Sequence, residues 1–306
     1  MATVNTAWDH VSSNIFKTYL IMFFFSIFAF GVIYLFAEIL GFGDIGFMGI
    51  FGFSLIFIGI SNFISWYWSD KIVLSISGAK PVSLESHRDL YRTVENLSIA
   101  AGLPLPKIYI IDDTAPNAFA TGRDPKHGVI AFTTGILSKL TKQELEGVTA
   151  HELSHIGNRD TLMMSVVSVL VGTIALMADF FMRSMWFGGS DRDNKSGLML
   201  AFGIIAAILA PLVAMLIQMA VSRRREYLAD ASGVLITRHP SALASALRKI
   251  SGDQEPLEVA NRGTAHMYII NPLKGTEVLN GFAKMFSTHP PIQDRIKALN
   301  EMEGKI

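Results

Sequence analysis

The sequence predicts a mainly α, integral membrane protein, with about four transmembrane helices in two hairpins and a cytoplasmic α+β part built on a small sheet. Three observations carry that expectation. Half of the 306 residues are hydrophobic and only 17% are charged, whereas a soluble domain usually carries nearer ~25% charge. The apolar residues are gathered into four uncharged runs, each close to the ~20 residues a helix needs to cross a bilayer core. Between the second and third runs lie three short segments rich in β-branched and aromatic residues, which read as strands.

The first run, Thr18 to Ala37, has 20 residues, too long for the apolar part of a signal peptide, and reads as a retained anchor. The second, Ile45 to Ser69, has 25 and ends in Trp66, Tyr67 and Trp68, an aromatic belt at a membrane interface. The third, Thr161 to Ala178, has 18 and is the weakest; the fourth, Ser196 to Ser222, has 27 and contains Pro211. A buried core helix would explain any one run. Four of them leave too little polar surface to keep so short a chain dissolved. Cations collect on the cytoplasmic side of a membrane. Asp70 to Asp160 holds 10 Lys plus Arg and the segment from Arg223 onward holds 12, while the turn Glu38 to Asp44 holds none. Both termini and the middle segment therefore belong in the cytoplasm. The expected division is 1–69 (first hairpin), 70–160 (middle segment), 161–222 (second hairpin) and 223–306 (a helical part).

In the middle segment, Leu84 to Ala101 reads as a helix ended by Gly102 and Pro104. Lys107 to Asp112, Pro116 to Gly122 and Gly128 to Thr134 are the strands. Thr141 followed by Glu144 is a capping-box signature, so a helix starts there and runs through His155. A last helix, Ile292 to Met302, follows two prolines.

Chemistry is narrowed by what is missing. The chain has no cysteine, which excludes disulfides, a thiol nucleophile, iron–sulfur clusters and thiolate zinc sites. Its 26 cations balance 26 acids, which argues against an electrostatic nucleic-acid binder. Any metal must be held by His, Asp or Glu. His151-Glu-Leu-Ser-His155 puts two imidazoles on one helical face, able to grip one ion, with Glu152 beside them as a base for water. A hydrolytic site needs a third ligand. The extended signature with a third histidine fails, because Asn158 and Thr161 stand at its positions. Asp160 follows the helix too soon to fold back easily. Glu226 remains, because a membrane hairpin returns the chain to the face it left, placing both groups within about 10 Å of the bilayer edge. Asp230, one turn on, is placed to hold a ligand histidine by its second N–H. Taken alone, the two acids also read as a solvated pair balancing Arg223, Arg224 and Arg225. In the tail, Ser287-Thr-His-Pro-Pro291 reads either as a turn or as the carrier of an oxyanion donor, His289 or Arg295.

The order of these features, with Glu226-Tyr-Leu-Ala-Asp230 after the second hairpin and Thr264-Ala-His-Met-Tyr-Ile-Ile-Asn271 beyond it, resembles the HtpX family of membrane zinc metalloproteases. These are glutamate-zincins related to the CaaX prenyl endoproteases. The resemblance covers nearly the whole chain and implies a zincin-type protease domain with one Zn2+ ion on His151, His155 and Glu226 and with Glu152 as catalytic base. It further implies that Asn117 lies on an edge strand receiving substrate, and that His289 and Arg295 approach the active site. Implied too are a bacterial inner-membrane location, misfolded or membrane proteins as substrates, the lipid bilayer as partner, and a role in quality control and the stress response, with no nucleic-acid partner. Two other function classes compete: a catalytically silent membrane chaperone or adaptor, and a polytopic transporter with an incidental metal site.

Overall fold

The computed structural model describes residues 7–39, 44, 46–187, 223–260, 263–272 and 290–305. The fourth apolar run, the polar turn 188–195 and His289 lie outside them.

Two long helices open the chain, α1 (Ala7–Ile39) and α2 (Gly46–Tyr67), and a short helix, α3 (Ser69–Ile76), follows. Much later comes α7 (Asp160–Phe187). Ile21, Phe25 and Ala29 of α1, Ile58 of α2 and Leu162, Val166, Leu170 and Ile174 of α7 form one buried apolar cluster. The opposite faces of α1 and α2 turn Phe16, Phe23, Phe24, Phe53 and Ile56 outward, an arrangement that suits lipid and not water. Among the described residues three segments are long and apolar enough to cross a membrane: Val11–Leu35, Gly46–Tyr67 and Asp160–Asp179. The third is 61% buried against 28% and 17% for the other two, so it packs mainly against protein.

Between these helices lies a four-stranded mixed sheet. Its strands are β1 (Lys80–Pro81), β2 (Lys107–Ile111), β3 (Ala118–Thr121) and β4 (Val129–Thr133), in the order β1-β2-β4-β3. β2 and β4 run parallel, and the outer pairs are antiparallel. All three strands read from the sequence are present. β1 was not foreseen, since two residues carry no alternation. Gly122 ends β3 at φ +126, where a Cβ would stand 2.3 Å from the His127 carbonyl oxygen, so only glycine makes this turn. The helix expected from Leu84 starts later, as α4 (Arg88–Ala100). Ser83 and Ser86 exchange backbone-to-hydroxyl hydrogen bonds of 3.1 and 3.3 Å, closing a turn ahead of it.

Like α3, the short helix α5 (Thr134–Lys139) was not expected; it is capped by the Thr133 hydroxyl, which accepts from the Ile136 N–H. Next comes α6 (Lys142–Gly157), with the full capping box: Thr141 Oγ1 accepts from the Glu144 N–H, and the Glu144 carboxylate accepts from the Thr141 N–H at 2.7 Å. The chain closes with α8 (Arg223–Thr237), α9 (Pro240–Gly252) and α10 (Ile292–Met302). Their apolar faces meet α4, α6 and one face of the sheet in the largest core, which includes Val94, Ile130, Phe132, Val148, Leu153, Val234, Leu247 and Leu299. That core fixes α6 between β3 and α8.

Candidate active site

α6 carries His151, Glu152 and His155, all fully or nearly fully buried. Across from it, α8 presents Glu226, Asp230 and Gly233 on one face, spaced by one turn each. Gly233 lets the helices approach closely, since a Cβ there would lie 3.0 Å from the His151 backbone nitrogen. The result is a cluster in which ligand atoms of His151, His155 and Glu226 all lie within 4.8 Å of one another. The two Nε2 atoms are 3.2 Å apart. Glu226 Oε2 stands 3.8 Å from the first and Oε1 stands 3.6 Å from the second.

Each imidazole is held from behind. His151 Nδ1 faces Asp230 Oδ1 at 2.9 Å, and His155 Nδ1 faces Asp160 Oδ2 at 3.0 Å. A histidine whose Nδ1–H is given to a carboxylate offers the lone pair of Nε2. Two such lone pairs facing each other at 3.2 Å, with a carboxylate beside them, repel unless a proton or a metal cation sits between. The charge balance points the same way. Four carboxylates, Glu152, Asp160, Glu226 and Asp230, are buried here, facing Arg295 and, at 3.8 Å from Asp160, Arg225. Burial lowers the pKa of His155, yet its bond to Asp160 and the charges of Glu226, Asp160 and Glu152 hold it up at about 9. The donor set of two imidazoles and one carboxylate thus fits a divalent metal, in the pattern common to hydrolytic sites.

Glu152 follows His151 directly, is buried, and lies within electrostatic reach of His155, Glu226 and Arg295. Burial, reinforced by the negative charge of Glu226, raises its pKa to about 7, against the pull of His155, Arg295 and the Ala120 N–H. A carboxylate poised near neutrality suits proton transfer in both directions.

Arg295, from α10, is completely buried. Its Nε and Nη2 donate to the two oxygens of Asp230 at 2.8 and 2.7 Å, and Nη1 donates to the Ile269 carbonyl at 3.1 Å. Nη1 also lies 3.3 Å from Glu226 Oε2. Arg295 therefore clamps the two acids of α8 from behind. Asn117, just ahead of β3, is buried, and its amide nitrogen donates to the Ile270 carbonyl at 2.9 Å. Tyr268 bridges Phe119 in antiparallel fashion, and the Ile269 N–H donates to the Ala118 carbonyl at 3.0 Å. The segment around Tyr268 to Ile270 thus lies along the start of β3, a contact the sequence reading did not foresee.

Asp160, expected to lie too close after α6 to fold back, does fold back. Arg159 adopts φ 60, a left-handed turn that returns the chain within two residues of Asn158 and swings Asp160 under His155. An acid soon after the second histidine was the available signal. The sequence reading weighs that acid only as a third ligand and not as a partner of His155.

A membrane-associated helical fold with a buried two-histidine, one-carboxylate cluster and an adjacent base defines a metal-dependent hydrolase. Residues 85–303 match the model of Peptidase family M48, and the chain belongs to that family. Curated relatives named "Protease HtpX homolog" are similar over nearly their full length. The relative from Caldanaerobacter subterraneus subsp. tengcongensis is 45% identical over 306 residues, 98% of this chain and 99% of its own. That from Dictyoglomus thermophilum is 44% identical over 97% of this chain and 95% of its own. The Pyrococcus furiosus relative is 49% identical over 79% and 82%. Among solved structures, Ste24p of S. mikatae shares the fold, with a TM-score of 0.50 at 18% identity, covering 93% of this chain and 67% of that one. The protein is an HtpX-like membrane metallopeptidase.

Proposed function

We propose that the protein is a zinc-dependent endopeptidase of the bacterial inner membrane that cuts misfolded or membrane proteins on the cytoplasmic side, in protein quality control. The observation that carries this reading is the convergence of His151, His155 and Glu226 with Glu152 one residue from His151. His151, His155 and Glu226 would hold the ion. When bound, zinc supplies Lewis-acid polarisation of the scissile carbonyl and acidifies water. Asp230 and Asp160 keep the two imidazoles in the tautomer that offers Nε2. Arg295 fixes Asp230 and holds Glu226 in place. Glu152 takes the proton of the attacking water and returns it to the leaving amine, and the cation beside it would keep it ionised and ready to accept. The substrate lies extended along the part of β3 beyond the Tyr268 to Ile270 segment, which already pairs with Ala118 and is held by Asn117, with main-chain pairing as the source of broad specificity. His289 is the candidate oxyanion donor from the tail. The cytoplasmic orientation rests on the excess of Lys and Arg in 70–160 and 223–306.

Glu152→Gln tests the reading. It removes the proton acceptor and nothing else, so the purified variant should bind zinc like the wild type and lose about 10²–10⁴-fold in hydrolysis of an unfolded casein substrate. Wild-type activity in Glu152→Gln would end the mechanism.

A further inference from the structure

The residues that build the metal cluster and hold its histidines come from α6, α7, α8 and α10, within the part matched by the family model. A contact to them comes from outside that part. Asn14 lies on α1, ahead of its apolar run, and is only 5% exposed. Its amide nitrogen donates to the Asn158 carbonyl at 2.9 Å and to Asp160 Oδ1 at 2.7 Å. Both partners are acceptors, which fixes the orientation of the amide. They also flank Arg159, the residue in left-handed conformation. Asn14 therefore clips the two sides of the turn that carries Asp160 back to the site.

Asp160 uses its two oxygens in different directions. Oδ2 receives His155 Nδ1 at 3.0 Å. Oδ1 receives Asn14, with Arg225 Nη1 3.8 Å away. A carboxylate held through one oxygen cannot rotate freely about its own bond, so the direction of the other oxygen, and with it the plane of the His155 ring, is set partly from α1. Outer partners of this type orient metal-binding histidines. We propose that Asn14 is a positioning residue of the metal site, acting through Asp160 on His155, so that the first membrane helix is a working part of the active centre as well as an anchor. The proposal rests on the metal-site reading given above.

A second polar contact in the same helix bundle supplies the control. Asn62 of α2 donates to Ser26 Oγ of α1 at 2.8 Å, a bond between apolar helices that does not reach the site. The full chain in detergent, as wild type, Asn14→Leu and Asn62→Leu, is titrated with zinc against a chelator of known affinity. The visible spectrum of each cobalt-loaded protein is recorded as well. Leucine keeps the branched shape and heavy-atom count of asparagine and removes the donor. Asn14→Leu should bind zinc about tenfold more weakly, at the low end of the range for groups bonded to ligands, and should shift the cobalt spectrum. Asn62→Leu should match the wild type in both. Asn14→Ser, too short to reach Asp160 and easily accommodated in a helix bundle, should repeat the loss and serves if the leucine variant does not fold. Zinc affinity within twofold of wild type and an unchanged cobalt spectrum in both Asn14 variants would overturn the proposal, whatever their melting temperatures. A wild type that binds no zinc would overturn the metal-site reading and this proposal together.

Discussion

Gly233→Ala tests the packing on which the cluster depends. Gly233 lies two turns after Glu226 on the same face of α8, against the backbone of α6. A Cβ there would stand 3.0 Å from His151 N and 3.2 Å from both Ala150 C and His151 Cα. Comfortable contacts between such atoms begin near ~3.5 Å, so α8 must retreat by about 0.5 Å, taking Glu226 and Asp230 with it. Alanine gains up to about 1 kcal/mol in helix propensity, and overpacking costs about 1–3 kcal/mol. The net is a loss of about 0–3 kcal/mol. Metal sites tolerate ligand displacements of only about 0.2 Å, so zinc affinity should fall by about tenfold or more, a larger effect than the loss of stability suggests. The assay is zinc competition on purified full-length protein, beside a thermal melt. Gly172→Ala on α7, where a Cβ meets nothing within 4 Å, is the control. If Gly233→Ala bound zinc and melted like Gly172→Ala, the close approach of α6 and α8 would not be what sets the ligand geometry.

Two further outcomes follow from the charges. Burial would raise the pKa of Glu144, but hydrogen bonds from Lys249, Ser245 and Thr141 hold it at about 2, below its ordinary 4.5. Its contribution to stability is therefore fully present above about pH 4.5 and lost as pH falls toward 2; the melting temperature of the wild type should drop more steeply over that window than that of Glu144→Gln, and parallel curves would refute the assignment. Because the chain contains no cysteine, single cysteines report topology cleanly. At Ser138 or Ser241 they should resist a membrane-impermeant thiol reagent in intact cells, whereas one at Ser190 should react; labelling at Ser241 would place Glu226 on the wrong side.

Local signals translated well into structure. The Thr141 and Glu144 pair marked the start of α6, and the β-branched segments gave β2, β3 and β4 within two residues, because caps and alternation are written in neighbouring positions. The approach of Glu226 to the two histidines is what the sequence expects of a second hairpin, whose returning arm lies outside the described residues. What escaped was nonlocal or conformational. Asp160 folds back only because Arg159 takes φ 60, a conformation arginine does not advertise. Asn14 meets Asp160 across 146 residues, and nothing in its own neighbourhood marks it. The Tyr268 to Ile270 segment beside β3 is held by Asn117 and Arg295, a pairing that no periodicity encodes.

The central claim is that Glu226 completes a metal site with His151 and His155. Metal analysis of detergent-purified protein, wild type beside Glu226→Gln, tests it most directly, because glutamine keeps the shape of the side chain and removes the charge that balances the cation. After dialysis against a weak chelator, the wild type should retain one zinc per chain and Glu226→Gln should retain almost none, with both still folded by circular dichroism. Equal, stoichiometric zinc in Glu226→Gln would contradict the account and send the search for the third ligand elsewhere in the chain.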